Sequence, residues 1–273
     1  MNDILMMSHF HKDFPFNHNS SWMRAAYAGG TGAYEYYPPS KEGVWVNTSR
    51  EQNRIQEYHH FYRGVTELDF LKAMGQQASE YWLWKYGKAD FIGCTTYRRY
   101  LLLDDITQPV AKIGMAANQA SADYLSSDRM KNAALHMLEK HDVITNIKTI
   151  LPHTVQEQYL QSQPSEYWSL FLKAIIELMP DYRGYLNWFN TSKAISFETC
   201  YIMRKQLFKK YVSELFEIYE YIWTYASTAY PTQQTTSEPL PWRYPGFLGE
   251  RFLPFFIEMN ACAPIHVPLV ILE

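Results

Sequence analysis

The stretch E-Y-W-L-W-K-Y-G-K-A-D-F-I-G-C-T-T-Y-R-R-Y-L-L-L-D-D, at residues 80–105, decides the fold that we expect for this chain. It reads as the aromatic end of a helix, a turn at Gly87 and a short strand at residues 90–94. The run Y-R-R-Y at 97–100 follows the strand. Guanidinium groups bind phosphate oxygens two at a time, and ligands of open α/β sheets collect at the carboxyl ends of strands. The stretch therefore predicts an anion site, with a surface strand whose arginines pair with nearby carboxylates as the alternative.

Length and composition are those of an ordinary globular protein. The 273 residues are 47% hydrophobic, which is enough for a full core in one large domain. The net charge of −3 gives no electrostatic attraction to nucleic acid, so we expect no such partner. Aromatic residues make up 16% of the chain, and such side chains line sugar and base sites as readily as they fill cores.

The cysteines and the first residues indicate a soluble protein of a reducing compartment. Cys94, Cys200 and Cys262 are far apart, odd in number and without C-x-x-C spacing, which argues against a disulfide framework or structural zinc. The chain start lacks the basic flank and apolar core of a signal peptide. No apolar run reaches the roughly 20 residues that a membrane span needs. We therefore expect a cytoplasmic protein.

Strand-like and helix-like segments alternate along the chain, which predicts a mixed α/β fold. Strands are expected at residues 4–8, 90–94, 142–145, 194–203 and 266–272, and helices at 49–62, 66–86, 128–140, 154–161, 165–179, 181–189, 207–222 and 246–259. Residues 230–244 are rich in Pro, Thr and Gln and are expected to form a loop, whereas residues 106–126 show no strong pattern. The chain has no G-x-G-x-x-G, P-loop, G-x-S-x-G or H-E-x-x-H motif, which removes the simplest dinucleotide, NTPase and hydrolase classes.

Six blocks of sequence, in order, carry a resemblance that spans nearly the whole chain. They are H-K at 11–12, Y-W-L-W-K at 81–85, D-F-I-G-C-T-T-Y-R-R-Y at 90–100, H-D-V-I at 141–144, C-Y-I-M-R-K-Q-L-F-K-K-Y at 200–211 and Y-P-G-F-L-G-E-R-F at 244–252. Together they resemble the bacterial glycosyltransferase family of capsular-polysaccharide and O-antigen gene clusters, whose signature is H-Y-R-R-Y.

The resemblance implies a single GT-A-like (Rossmann-like) nucleotide-sugar domain over residues 1–273, with a mixed central sheet and extra C-terminal helices. Residues 1–150 would mainly bind the nucleotide sugar, and residues 151–273 would form the acceptor side. The implied reaction moves a sugar from a UDP-linked donor, UDP-galactofuranose among the candidates, to a growing glycan that is lipid-linked. It would take place in the cytoplasm, with at most peripheral association with the inner face of the membrane.

Three positions depart from the pattern of that family. Thr96 stands in place of the His of H-Y-R-R-Y, Gln76 in place of a Glu, and Thr199 in place of an Asn. These departures leave the implied fold intact and leave the donor and the acceptor open.

A sugar transferase has to stabilise the charge that develops on the departing nucleotide diphosphate. Many GT-A enzymes do so with a divalent metal, held by a D-x-D motif after the strand that here ends at Cys94. We expect Arg98 and Arg99, helped by His11 or Lys12, to stabilise the diphosphate directly.

The expected donor site also includes His9, Tyr97 and Asp104, although His9 is by default a structural histidine, like His141 and His266. A manganese or magnesium ion held by Asp104 and Asp105 is the alternative. Adjacent carboxylates on an extended chain point to opposite faces, which disfavours it.

The expected catalytic base, which an inverting transfer requires, is Glu250 in G-F-L-G-E-R-F near the start of a core helix. The alternative is a surface glutamate paired with Arg251 or Arg243. Glu198 is the second candidate, because an isolated charge in an apolar strand is costly unless it is paired or functional.

Acceptor binding is expected from Glu198, Trp242 and Tyr244, since aromatic faces stack on sugar rings; Trp242 can equally anchor its loop to the core. Two other classes of function remain open: a carbohydrate- or nucleotide-binding protein without catalysis, and a nucleotide-sugar hydrolase in which water replaces the acceptor.

Overall fold

A computed structural model describes residues 2–10, 15–16, 18, 20–27, 44–45, 76–104, 110–226, 244–260 and 262–273. The helix expected at residues 49–62, the first half of the one expected at 66–86, and the loop expected before Tyr244 lie outside these residues.

Ten of the described strands form one sheet, and β8 and β9 form a separate two-stranded sheet. The strands are β1 (Ile4–Phe10), β2 (Met23–Tyr27), β3 (Val44–Trp45), β4 (Phe91–Thr96), β5 (Arg99–Leu101), β6 (Lys112–Met115), β7 (Val143–Asn146), β8 (Thr149–Ile150), β9 (Ala194–Ile195), β10 (Tyr201–Arg204), β11 (Pro264–Val267) and β12 (Leu269–Leu272).

The helices cover both faces of the large sheet. They are α1 (Gln77–Tyr86), α2 (Gln119–Leu125), α3 (Asp128–Leu138), α4 (Val155–Leu160), α5 (Ser165–Leu178), a 3-10 helix (Pro180–Tyr185), α6 (Trp188–Thr191), α7 (Lys205–Tyr225) and α8 (Tyr244–Met259). Local chemistry explains several of their ends. Thr154 and Glu157 form a capping box at the start of α4, as that motif favours, and the Gly87 N–H closes α1 on the Leu83 carbonyl at 2.7 Å.

In the central order of the sheet, β10 runs against both of its neighbours. The central order is β11-β7-β10-β4-β1-β2-β3, and every neighbouring pair along it is parallel except those that involve β10. β10 is antiparallel to both β4 and β7. Its amino end therefore lies at the same edge as the carboxyl ends of β1, β4, β7 and β11.

A glycine permits the close pairing of β10 with β4. A Cβ atom on Gly93 would lie 2.7 Å from the Tyr201 carbonyl oxygen and 2.9 Å from Ile202 Cγ1. Both distances are shorter than real Cβ contacts, so a side chain at position 93 would force the two strands apart.

The two faces of the sheet carry two hydrophobic cores. The face of Met7, Ile92 and Tyr201 packs against α1, α5, α7 and α8. The face of Met6, Phe91 and Ile202 packs against α2, α3 and Trp22. In the sequence, these faces read as alternate residues of the same strands, which is the period of a sheet buried on both sides.

The structure corrects several expected elements. The first strand reaches Phe10, so His9 is part of it. The strand expected at 194–203 is broken into β9 and β10, with positive φ at Glu198 (83°) and Thr199 (47°) between them. The strand expected at 266–272 is two strands, and the region without a pattern before residue 126 holds β6 and α2.

Among the described residues, no helix combines the length and the apolar character required to cross a membrane.

We expect Gly93→Ala to destabilise the protein, because the added methyl group meets backbone that cannot move without breaking the β4–β10 ladder. Overpacking of this kind costs about 1–3 kcal/mol. Gly184→Ala is the control, since a Cβ there meets no atom within 4 Å. Urea unfolding of the two variants tests this, and equal midpoints would contradict it.

A fully buried carboxyl group, that of Glu80, lies between α1 and the sheet face that carries Tyr201. Glu80 on α1 is shielded from solvent, and the Tyr201 hydroxyl donates to its Oε1 at 2.9 Å. Burial raises the pKa of Glu80 from 4.5 to about 7. Because the folded-state pKa lies above the unfolded value, folding stability is full below pH 4.5 and falls as the pH rises through 7.

For Glu80→Gln we therefore expect a flatter dependence of stability on pH than for the unsubstituted protein. At roughly 1.4 kcal/mol per pH unit, the loss that Glu80 causes by pH 8 is on the order of 3 kcal/mol. Denaturant unfolding between pH 4.5 and pH 8 measures it. Glu217→Gln, on the exposed side of α7, serves as the control; identical pH profiles for all three proteins would refute the assignment.

Candidate functional site

The candidate site lies where β4 ends and β10 begins. Thr96 pairs with Arg99, so β4 turns into β5 through a two-residue hairpin at Tyr97 and Arg98. Across the edge, the segment that leads into β10 carries Glu198 towards Arg99. The antiparallel course of β10 is what brings these two parts of the chain together.

The hairpin separates its four Y-R-R-Y side chains. Tyr97 and Tyr100 are buried, Arg98 is exposed and Arg99 is partly exposed. The ring of Tyr97 packs near Phe10, with centroids 6.1 Å apart, so it is not free to stack on a base. Tyr97 thus occupies a core position and its donor role stays a prediction, whereas the two arginines lie at the surface.

The Tyr100 hydroxyl holds the hairpin from inside. It donates to the Tyr97 carbonyl at 3.0 Å, and its oxygen lies 3.0 Å from Ser8 Oγ and 2.7 Å from His18 Nε2. Burial lowers the pKa of His18 to about 4, so this histidine is neutral near pH 7. The network fixes the backbone that presents Arg98 and Arg99.

Glu198 bridges two cations. Lys112 Nζ on β6 lies 2.8 Å from its Oε1, and Arg99 Nε on β5 lies 3.7 Å from its Oε2. The Glu198 side chain is 14% exposed, compared with 31% for Arg99 and 44% for Lys112. The Glu198 carboxylate is thus less accessible to solvent than either of the two cations that it pairs with.

The backbone at Glu198 is held in an uncommon conformation. Positive φ at two successive non-glycine residues is unfavourable unless the surroundings impose it. Gln76 Nε2 donates to the Thr199 carbonyl at 2.6 Å, and Cys200 Sγ contacts the Glu198 carbonyl at 3.4 Å. Positions 76 and 199, which both depart from the pattern of the resembling family, therefore contact each other here.

Glu250 lies in the second turn of α8 beside a buried cation. Its Oε2 accepts from Arg251 Nη1 at 3.1 Å, and the Arg251 side chain is only 4% exposed. Arg251 also donates to the Phe247 carbonyl and to Gln158, and its guanidinium lies 5.3 Å from the ring centroid of Phe197. The Glu250–Arg251 pair of the alternative interpretation therefore exists, but its arginine is buried and does not lie at the surface.

The two carboxyl groups of the site differ in their surroundings. Burial raises the pKa of Glu250, while the charges of Arg251 and Arg99 partly oppose the rise and that of Glu198 adds to it. Glu198, in contrast, faces Lys112 and Arg99 directly. A carboxyl group whose pKa is raised above its ordinary value is better suited to accept a proton near neutral pH, which favours Glu250 as the base.

Two other expected site residues lie away from this edge. Asp104 is ion-paired with Arg129 at 2.6 Å, and both of its oxygens accept from the Tyr124 hydroxyl. Tyr244 is 1% exposed and stacks on Tyr167 with centroids 4.5 Å apart. Asp104 and Tyr244 thus occupy structural positions in this fold, and their expected donor and acceptor roles stay predictions.

The carboxylate of Asp104 also does not fit a metal site, because both of its oxygens are bound to protein groups. No cluster of three or more His, Cys, Asp or Glu side chains suited to a metal occurs within the described ranges. His9 is buried in β1, with its Nδ1 2.9 Å from Ser79 Oγ. His11, Lys12, Asp105 and Trp242 lie outside the described residues, and their roles stay predictions.

Sequence reasoning missed three contributors to the site. Lys112 lies in a region without periodic pattern, Gln76 was noticed only as a departure from a family pattern, and Arg251 was considered only as a surface partner. All three become visible through contacts between segments more than 70 residues apart. No local signal in the sequence marks such contacts.

A search of solved structures finds the same fold in the apo structure of WbbM, a bifunctional glycosyltransferase, with a TM-score of 0.70 and 14% sequence identity. The match covers all of this chain and 46% of WbbM, so the chain spans less than half the length of that protein. It confirms the expected GT-A-like fold with a mixed central sheet. No curated protein matches the chain.

A protein-family profile matches residues 77–261, which run from the start of α1 past the end of α8 and include Arg99, Glu198 and Glu250. The family is described as a domain of unknown function, DUF4422. The matched segment is about two thirds of the chain, and the chain therefore belongs to the DUF4422 family.

Proposed function

We propose that this protein is an inverting glycosyltransferase that takes its sugar from a nucleotide-sugar donor. The observation that carries the proposal is the arrangement at the carboxyl edge of the sheet. There Arg98 is exposed and Arg99 is partly exposed. Burial raises the pKa of the Glu250 carboxyl group, and the charge of nearby Arg99 partly opposes the rise. Sugar transfer from a nucleotide diphosphate requires cations that stabilise the leaving diphosphate and a carboxylate that accepts the proton of the acceptor hydroxyl. Arg98, Arg99 and Glu250 can supply these groups.

In the proposed reaction, an acceptor hydroxyl attacks the anomeric carbon of the donor. The bond from that carbon to the diphosphate oxygen breaks, and its electron pair leaves with the diphosphate. Arg98 and Arg99 stabilise the negative charge that develops there, in the bidentate manner suited to guanidinium groups. Glu250 takes the proton of the acceptor hydroxyl, and Arg251 behind it holds the carboxylate in place.

The proposed substrates are those that the sequence resemblance to enzymes of surface-polysaccharide assembly implies. We propose a UDP-sugar donor, with UDP-galactofuranose as the first to test. The proposed acceptor is a growing capsule or O-antigen glycan on a lipid carrier.

We expect Glu250→Gln to lower kcat by about 10²–10⁴-fold, the range for loss of a general base, while donor binding persists. Since burial raises the pKa of Glu250, the rate of the unsubstituted enzyme should fall on acidification at a pH above the usual carboxyl range. Release of UDP from UDP-sugars, with and without acceptor glycans, measures both effects, and Glu217→Gln on exposed α7 is the control.

The outcomes separate the classes of function. Full turnover by Glu250→Gln would refute its role as base. UDP release that acceptors do not accelerate would indicate a hydrolase, and UDP-sugar binding without turnover on any donor would indicate a binding protein.

We expect sugar transfer to persist in excess EDTA, because in this proposal two guanidinium groups hold the diphosphate directly. Arg99→Met should then raise KM for the donor and lower kcat, since charge-assisted contacts to a leaving group strengthen in the transition state. Complete loss of activity in EDTA that manganese restores would overturn this metal-free version.

A further inference from the structure

The arrangement around Glu198 has the form of an occupied anion site. One carboxylate places each of its oxygens towards a different cation, Oε1 towards Lys112 and Oε2 towards Arg99. The two cations come from different strands, β6 and β5, which are joined through β12. Two cations on separate strands would repel each other if no anion lay between them.

The carboxylate is supplied by a turn that is held from behind. The Gln76 amide fixes the Thr199 carbonyl, and the Glu198 carbonyl is contacted by Cys200. The backbone at Glu198 is thus held independently of the ion pairs that its side chain makes. The cations are more exposed than the carboxylate, so a ligand can reach them from solvent.

We propose that Arg99 and Lys112 form the subsite for the diphosphate of the donor, and that Glu198 occupies this subsite as an internal anion until the diphosphate displaces it. This inference rests on the proposed function and adds Lys112 to the residues that bind the donor. A diphosphate carries more negative charge and more acceptor oxygens than one carboxylate, so it competes well for both cations.

Displacement of Glu198 by the ligand also predicts which anions the subsite prefers. A ligand has to replace the charge that Glu198 supplies to two cations at once, which a diphosphate can do and a single phosphate group does less well. The subsite should therefore prefer inorganic pyrophosphate and UDP to inorganic phosphate.

The test is calorimetric titration of the full chain with inorganic pyrophosphate, UDP and inorganic phosphate at low salt, without divalent ions. Lys112→Gln should weaken pyrophosphate binding by about tenfold, the effect of losing one charge-assisted contact. Glu198→Gln keeps the shape of the side chain and removes the competing charge, so it should tighten pyrophosphate binding several-fold. A merely structural role of Glu198 would leave the affinity unchanged or lower it.

Lys131→Gln is the matched control. Lys131 forms an ion pair of the same 2.8 Å length with Asp3, which immediately precedes β1 and so lies at the opposite edge of the sheet. This variant should bind pyrophosphate like the unsubstituted protein. Circular dichroism and thermal unfolding show whether each variant is folded, and if Glu198→Gln is not, the half-exposed Lys112 still allows the test to be read.

Unchanged or weaker pyrophosphate binding by folded Glu198→Gln, or unchanged binding by Lys112→Gln, would overturn the inference. Its failure is distinct from failure of the proposed function. If Lys112→Gln leaves sugar transfer unchanged, the subsite is refuted and the transferase function stands. If pyrophosphate binding follows the expected pattern but the protein transfers no sugar, the transferase function is refuted and the subsite stands.

Discussion

The antiparallel pairing of β10 with β4 is the constraint on which the candidate site depends. Ten strands share the sheet, but in its central order only β10 runs against its neighbours. Because it does, the residues that precede it emerge beside the carboxyl ends of the parallel strands. Glu198 thereby meets Arg99, which is 99 positions earlier in the chain, and the absence of a side chain at Gly93 lets the two strands approach closely enough.

The charged side chains around that edge fall into two different arrangements. Glu198 faces two cations that solvent can reach, whereas the partly exposed Glu250 is paired with Arg251, a cation that solvent scarcely reaches. The first arrangement suits exchange with an anionic ligand, and the second suits a carboxylate that accepts a proton. Both carboxylates belong to the second half of the chain, and the cations on β5 and β6 belong to the first half.

Polar side chains at or near the core hold the backbone of the site in place. Tyr100 holds the arginine hairpin through its hydroxyl, and Gln76 holds the turn at Thr199. Buried polar groups of this kind are costly unless they are satisfied, and when satisfied they fix one geometry. Tyr97 and Tyr244, which were expected to contact a ligand, are buried and contribute to this packing.

The sequence by itself determined the mixed α/β class and most helices, and it singled out Arg99 and Glu250 as candidates, because periodicity, caps and short motifs are local properties of a chain. It could not reveal the break at Glu198, since the backbone there is held by Gln76, more than 120 residues away. Lys112 was equally hidden in a segment without pattern. Only the tertiary structure decided which charges face each other, because ion pairs and buried hydrogen bonds depend on the distance in space between strands, and the order of residues along the chain does not encode that distance directly.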